Sequence, residues 1–216
     1  MQDIVAGQSH TCALLFSGKV RCWGYNGYGQ LGYGGSTNIG DNEHPDSAGD
    51  MNLGAVAVQL ATGSLHTCAL LDTGGVRCWG YSNYGQVGNG GTTTPTPFEV
   101  NLGTGNRALQ VAAGDSHTCV LFGTGLIKCW GYNGQGQLGY GNSTIQYQPP
   151  ANHTGLSGIP AYALTTGDNH TCALLTNGRA LCWGYGLNGR LGYGNTNNIG
   201  DDELPATQEG IPLLSP

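Results

Sequence analysis

Charged side chains are scarce in this chain. Only 20 of 216 residues carry charge, seven Lys or Arg and 13 Asp or Glu, where a soluble protein averages about a quarter. Basic charge is the scarcer kind, and the formal net charge is −6. A nucleic-acid binder that neutralises phosphates needs a basic face, so that class is excluded. No apolar run approaches the ~20 residues of a membrane-spanning helix, and no signal-peptide pattern opens the chain. Neither membrane insertion nor a nucleic-acid partner is expected. Uninterrupted helix-forming stretches are missing too. Forty residues are Gly, each costing roughly 1 kcal/mol relative to Ala inside a helix, which rules out a coiled coil or helical bundle. Collagen is also excluded, because its strict three-residue Gly period is absent. Reaction motifs are no easier to find: there is no G-x-S-x-G elbow, H-E-x-x-H, P-loop or dinucleotide fingerprint. Asp115, Ser116 and His117 have the letters of a triad, but neighbours in sequence cannot converge as that geometry requires. No enzyme is expected.

What the chain does have is repetition. Its eight cysteines fall in four pairs, Cys12/Cys22, Cys68/Cys78, Cys119/Cys129 and Cys172/Cys182, each separated by ten positions. The first members recur after 56, 51 and 53 residues. Such a period marks a repeat protein. Around the pairs the units read HTCALLFSGKVRCWGYNGYGQLGYG, HTCALLDTGGVRCWGYSNYGQVGNG, HTCVLFGTGLIKCWGYNGQGQLGYG and HTCALLTNGRALCWGYGLNGRLGYG.

Each unit reads as a β-hairpin. The turn is Asn177-Gly178 in the fourth unit, a strong two-residue hairpin signal, and Ser17-Gly18, Thr73-Gly74 and Thr124-Gly125 stand in the matching places. A hairpin centred on Ser17 sets Cys12 opposite Cys22, Leu14 opposite Val20 and His10 opposite Gly24, on one side of the sheet. Thr11, Ala13, Leu15, Arg21 and Trp23 then project from the other side. Both faces carry large apolar residues, so both are expected to be covered by stacked sheets. Short apolar runs at Asp3–Gly7, 55–62, 108–114 and 161–167 supply a further strand per unit, and polar connections rich in Gly, Asn, Thr and Pro link the units. Three or four strands in about 53 residues, repeated, suggest the blades of a β-propeller. The expected architecture is an all-β array of four antiparallel blades, near residues 1–54, 55–107, 108–160 and 161–216, in a single repeat domain.

The string AGxxHTCAL…CWGYNxxGQLGYG resembles the regulator-of-chromosome-condensation repeat, a β-propeller family with blades of about 50 residues. The resemblance covers essentially the whole chain. The paired cysteines are more like those of the family's bacterial secreted or surface branch than of its nuclear members. The resemblance implies rings of seven blades, and this chain holds material for four. By fold analogy alone it also implies a guanine-nucleotide exchange factor.

An even cysteine count at constant spacing reads as a disulfide framework and an oxidising compartment. The hairpin register joins each pair across its own two strands. Two alternatives compete. His10, His66, His117 and His170 lie on the cysteine side, and Cys2His with an open position is a legitimate zinc set, although ligands from neighbouring strands lack a fourth partner. Buried free thiols are the other. Trp23, Trp79, Trp130 and Trp183 could stack on sugars, but a strand Trp beside Gly and Tyr more often fills the core between blades. The histidines are expected to bond the backbone of a neighbouring blade, which would fix their tautomer.

Two acidic loops match each other: Asn38-Ile39-Gly40-Asp41-Asn42-Glu43 and Asn198-Ile199-Gly200-Asp201-Asp202-Glu203. The oxygens of Asp41, Asn42, Glu43, Asp201, Asp202 and Glu203 are candidate weak Ca²⁺ ligands, against the ordinary role of such clusters in turns. No other cofactor is expected. Sequons stand at Asn142, Asn152 and Asn169. The functional expectation is a secreted or cell-surface, non-enzymatic binding or scaffold module whose partner is an extracellular protein or glycan. The alternative is a subunit that assembles with itself, head to tail, into an extracellular ring or filament. The register of the repeats favours that alternative by pairing the N-terminal strand with the sheet at the C-terminal end.

Overall fold

The computed structural model describes residues 1–156 and 158–212; the end of the fourth connection, 213–216, lies outside the described residues. Among the described residues, fourteen short strands form four antiparallel sheets. Blade 1 contains β1 (Asp3–Ala6), β2 (His10–Leu14) and β3 (Val20–Gly24). Blade 2 contains β4 (Ala57–Thr62), β5 (His66–Leu71), β6 (Val76–Gly80) and β7 (Thr94–Glu99). Blade 3 contains β8 (Ala108–Ala113), β9 (His117–Phe122) and β10 (Ile127–Gly131). Blade 4 contains β11 (Ala161–Thr166), β12 (His170–Leu175), β13 (Arg179–Gly184) and β14 (Ile211–Pro212). Among the described residues, helix is confined to three single 3₁₀ turns. The innermost strands β1, β4, β8 and β11 touch in succession, so the sheets fan out from one axis in chain order.

The hairpins have the register that the cysteine spacing predicts. Cys12 opposes Cys22, Leu14 opposes Val20, and His10 opposes Gly24, and the same pairing recurs in every blade. The opposed cysteines have Cα atoms 4.1 Å apart and are bonded as four disulfides, one per blade. No free cysteine remains, so the zinc and free-thiol alternatives lapse. Tight turns allow this register because Gly18, Gly74, Gly125 and Gly178 all have φ near +80°, a region that costs a residue with a Cβ.

One expectation is corrected. The N-terminal strand does not complete the fourth sheet; β1 pairs with β2 of its own blade, from Asp3–Leu14 to Ala6–Thr11. Only residues 7–9 separate the two strands, and so short a link makes the local antiparallel pairing the natural one.

The outer edge of each blade is finished in two ways. In blade 2 the continuous strand β7 pairs with β6. In blades 1 and 3 the outer connection meets the third strand only at bridges, such as Gly24–Ile39 and Val20–Met51, and in blade 4 it does so at the Gly184–Ile199 bridge and the two-residue β14 beside Arg179 and Ala180. There a tyrosine hydroxyl takes over the work of the missing strand. Tyr33, Tyr140 and Tyr193 accept the backbone N–H of Cys22, Cys129 and Cys182 at 3.2, 2.9 and 2.9 Å. Blade 2, which has the strand, carries Asn89 at that position.

The period-two alternation of each hairpin divides its side chains between two junctions. Cysteines, His and the Leu/Val positions face the next blade, while Thr, Ala and Trp face the previous one. Three cores result. The first packs Cys12, Leu14 and Val20 against Ala69, Leu71 and Trp79. The second packs Cys68, Leu70 and Val76 against Val120, Phe122 and Trp130. The third packs Cys119, Leu121 and Ile127 against Ala173, Leu175 and Trp183.

Candidate functional site

The blade junctions are built by one polar relay repeated three times. His10 Nε2 lies 2.8 Å from Thr67 Oγ1, His66 Nε2 lies 2.9 Å from Thr118 Oγ1, and His117 Nε2 lies 3.0 Å from Thr171 Oγ1. Each threonine in turn donates to a carbonyl of the preceding blade, Gln30, Gln86 or Gln137, at 2.8–2.9 Å. A hydroxyl has one proton. Since the threonine gives it to the carbonyl, the imidazole must donate from Nε2. The tautomer is therefore Nε2–H, and each Nδ1 is left bare and buried. Trp79 and Trp130 donate to the same Gln30 and Gln86 carbonyls at 2.9 and 3.0 Å, whereas the Trp183 indole N–H is buried with no such bond.

Burial pushes the histidines far below their ordinary value, His10 to about 4 and His66 and His117 to about 3. They are neutral structural groups at physiological pH. Contrary to expectation, their partner is a side chain, and the threonine makes the backbone contact. The two outer blades depart from the pattern. Trp23, expected in an inter-blade core, is only half-buried, because no other blade among the described residues packs on that side of blade 1. His170 is half-buried, with its pKa shifted down mainly by burial.

The ends of the strands define two faces. The hairpin turns lie on one, the turn face. On the other, the loops between the first two strands of each blade meet around the axis. Residues 6–8, 62–64, 113–115 and 166–169 line a cavity of about 610 Å³ there. A Cβ on Gly63 would run into the His66 ring and the Gly114 carbonyl, so the inner loops meet as bare backbone. Asp115 accepts from Ser64 and Ser116 at the rim. His117 turns its Nε2 away to Thr171 of blade 4, so the imidazole does not join the Asp115–Ser116 pair.

The residue that follows each third strand brings tyrosine to this same face. Tyr25 and Tyr28 meet edge to face at 6.2 Å, Tyr28 meets Tyr81 of the next blade at 4.9 Å, and Tyr84 meets Tyr132 at 5.1 Å. In blade 4 the guanidinium carbon of Arg190 stands 4.7 Å from the centre of the Tyr185 ring. Sequence reasoning passed over this belt, although its signal, GY after every CW, is present in all four units.

The acidic loops bridge Gly24 and Gly184 through Ile39 and Ile199 and so reach the tyrosine face. They are alike in sequence and different in arrangement. Glu43 Oε1 accepts the Gly40 N–H at 3.0 Å, closing its own turn. The oxygens of Asp201, Asp202 and Glu203 gather within 4.8 Å of one another, and no further His, Cys or carboxylate joins them among the described residues. Burial, then the hydrogen bond and charge of Asp202, raise the Glu203 pKa. Of the sequon residues, Asn152 is exposed, while Asn142 and Asn169 are half-buried and hydrogen-bonded.

Sheets stacked in order about an axis, with inner strands touching and loops gathered at the two ends, define a β-propeller arc. The chain belongs to the regulator of chromosome condensation (RCC1) repeat family: profiles of that repeat match residues 2–30, 57–86, 109–137 and 163–190, and, in a second form, 17–70, 73–121 and 125–174. It is 34% identical over 208 residues to the ultraviolet-B receptor UVR8 of Arabidopsis thaliana, covering 94% of this chain and 46% of that protein. It is 37% identical over 198 residues to the human probable E3 ubiquitin-protein ligase HERC4, covering 91% of this chain and 18% of the other. Among solved structures, human WBSCR16 superposes with a TM-score of 0.79 at 24% identity, over 92% of this chain and 51% of that one. Yeast RCC1 (Prp20), solved bound to Kap60, gives 0.76 at 20% identity, over 94% and 48%. The chain spans about half or less of the length of these proteins.

Proposed function

We propose that the chain is a rigid, non-enzymatic binding scaffold in an oxidising compartment, secreted or at the cell surface, presenting propeller loops to an extracellular protein or glycan. The observation that supports this reading is the set of four disulfides, one inside every blade, because structural disulfides persist where thiols are not kept reduced. Rigid scaffolds with clustered loops are suited to binding. An exchange-factor role is not part of this reading, since likeness at 20% identity carries the fold and not the partner. The deciding experiment is alkylation of the unreduced, unfolded protein taken from its native location. No labelling of the eight cysteines, with peptides joined as Cys12–Cys22 and onward, is the expected result; labelling of most of them overturns the compartment and the role built on it.

A second reading, assembly with further copies, has its own support. Blade 4 offers the His170 ring on its outer face, and blade 1 offers Thr11 and Trp23 on the opposite one. These are the two halves of the relay that joins every internal junction. Native mass measurement across concentration tests it: a concentration-dependent multimer is expected, and a monodisperse monomer at high concentration overturns it.

A further inference from the structure

Charge is divided unequally between the two faces. In the half of each sheet nearer the hairpin turns stand Lys19, Arg21, Arg77, Arg107, Lys128 and Arg179. They are matched in number by Asp3, Asp46, Asp50, Asp72, Glu99 and Glu209. Two pairs are in direct contact, Arg21 with Asp50 at 2.9 Å and Arg77 with Glu99 at 3.4 Å. Register places the remainder at the tyrosine end. Asp41 and Glu43 follow the Ile39 bridge, the Asp201–Glu203 trio follows the Ile199 bridge, and Asp115 and Asp168 lie in the inner loops. Seven carboxylates there oppose the single guanidinium of Arg190, so the whole formal charge of −6 sits on the tyrosine face.

The same face exposes aromatic rings. Tyr25, Tyr28 and Tyr84 are about two-fifths open, at 41, 40 and 38%, and the Tyr28–Tyr81 and Tyr84–Tyr132 pairs carry the belt across two junctions. Exposed rings amid negative charge attract a planar cation, which gains from ring faces and carboxylates together. Blade 4 already satisfies that attraction internally. Where the first three blades have Gln30, Gln86 and Gln137, it has Arg190, stacked on Tyr185.

From this geometry we infer that the tyrosine face docks an arginine-bearing basic segment of a partner protein, with guanidinium groups on the exposed tyrosines of blades 1 and 2. Arg190 is the chain's own stand-in at the fourth place. The inference rests on the binding-scaffold reading and narrows its partner to a protein with a basic segment. A neutral glycan would use the rings but leave the one-sided charge without a role.

The test measures binding of a labelled peptide with four arginines spaced by glycine to the intact, oxidised chain. The lysine and glutamate analogues and a neutral chito-oligosaccharide run in parallel. The arginine peptide is expected to bind at low salt, several-fold more tightly than the lysine peptide, with the glutamate peptide unbound. Tyr28→Leu and Tyr84→Leu should each weaken it about 2–5-fold, the range of an exposed cation–π contact. Asp168→Asn with Asp201→Asn should weaken it further at low salt only, and Glu99→Gln on the turn face should change nothing. Arg190→Gln, which removes the competing cation and frees Tyr185, should tighten binding about twofold or more. Unchanged thermal melting certifies that each variant is folded. No arginine-peptide binding, or binding indifferent to both tyrosine variants, overturns the inference. Oligosaccharide binding lost in Tyr84→Leu without arginine-peptide binding also overturns it, while leaving the scaffold reading in place with a glycan partner. Failure of the scaffold reading itself is read separately, in the cysteine alkylation.

Discussion

Trp23 and Trp79 occupy the same place in the same repeated string, VRCWGY, yet Trp79 has no exposed surface and Trp23 is half-open. Thr11 and Thr67 differ in the same way. Thr67 links a histidine of one blade to that blade's Gln30 carbonyl, while the hydroxyl of Thr11 makes no such bond among the described residues. The local sequence sets where a side chain points, and the neighbouring blade sets what it meets. Interior junctions and outer faces are therefore chemically alike and energetically unlike, and each expectation below sets one against the other.

The largest effect belongs to the disulfides. Closing ten-residue loops contributes roughly 2.5–3 kcal/mol each on the chain-entropy account, and four together rival the ~5–15 kcal/mol stability of an ordinary domain. Full reduction is expected to unfold the chain at ambient temperature, read by circular dichroism. Reduction should begin at Cys172–Cys182, where Cys182 is 7% open, and reach the fully buried Cys68–Cys78 and Cys119–Cys129 later. Timed alkylation with mass mapping follows that order; simultaneous loss of all four would remove the distinction between interior and end.

Acid comes next. His10, His66 and His117 have folded values of about 4, 3 and 3, below the ~6.5 of an unfolded histidine. The unfolded chain binds protons first as pH falls. The neutral relay thus contributes full stability above about pH 6.5 and loses it on descent toward pH 4. The loss is about 1.4 kcal/mol per histidine per pH unit well below 6.5. Denaturant titrations at pH 7.5 and 5.0 should show the fall, and His66→Gln should reduce its slope by about a third. His170, half-exposed, should contribute little.

Truncating the indoles gives a smaller and more local contrast. Trp79→Ala is expected to cost about 3–5 kcal/mol, as for a fully buried aromatic, and Trp23→Ala under about 1 kcal/mol. Equal costs would mean that blade 1 is covered in solution by something packed as blade 2 is covered here, which favours self-assembly. The smallest effect is in the hydroxyls. Thr118→Val leaves the buried His66 N–H without a partner, while the Gln86 carbonyl keeps the Trp130 indole, at about 1–3 kcal/mol. Thr11→Val should fall within about 0.5 kcal/mol of the parent protein, as surface substitutions usually do.

Much of the fold was legible because its determinants are local. Cysteines ten positions apart, with a Gly in the turn, specify a hairpin register, and that register specifies the disulfide. The tyrosines that close the outer edges of blades 1, 3 and 4 were less legible. Tyr33 reaches back to Cys22 across a loop, and the clue, Asn89 in the one blade with a continuous outer strand, has meaning only when that strand is seen. The relay threonine was hidden for a different reason. His-Thr recurs in every unit, but His10 bonds Thr67, not Thr11, because alternate residues of a strand face opposite sides. The tyrosine belt escaped notice because Tyr28–Tyr81 and Tyr84–Tyr132 pair between repeats, about fifty residues apart.

The sequence by itself determined the hairpin, the partner of each cysteine, the number of blades and the side of the sheet on which every His, Thr and Trp stands. All of these follow from a two-residue strand period and a turn of known length. Tertiary structure alone decided which His and Trp are buried, which proton the imidazoles carry, and where the first strand pairs. It also decided that the net charge gathers on one face with the tyrosines. Those properties depend on distances between units, and a repeat contains no record of whether another blade lies against it.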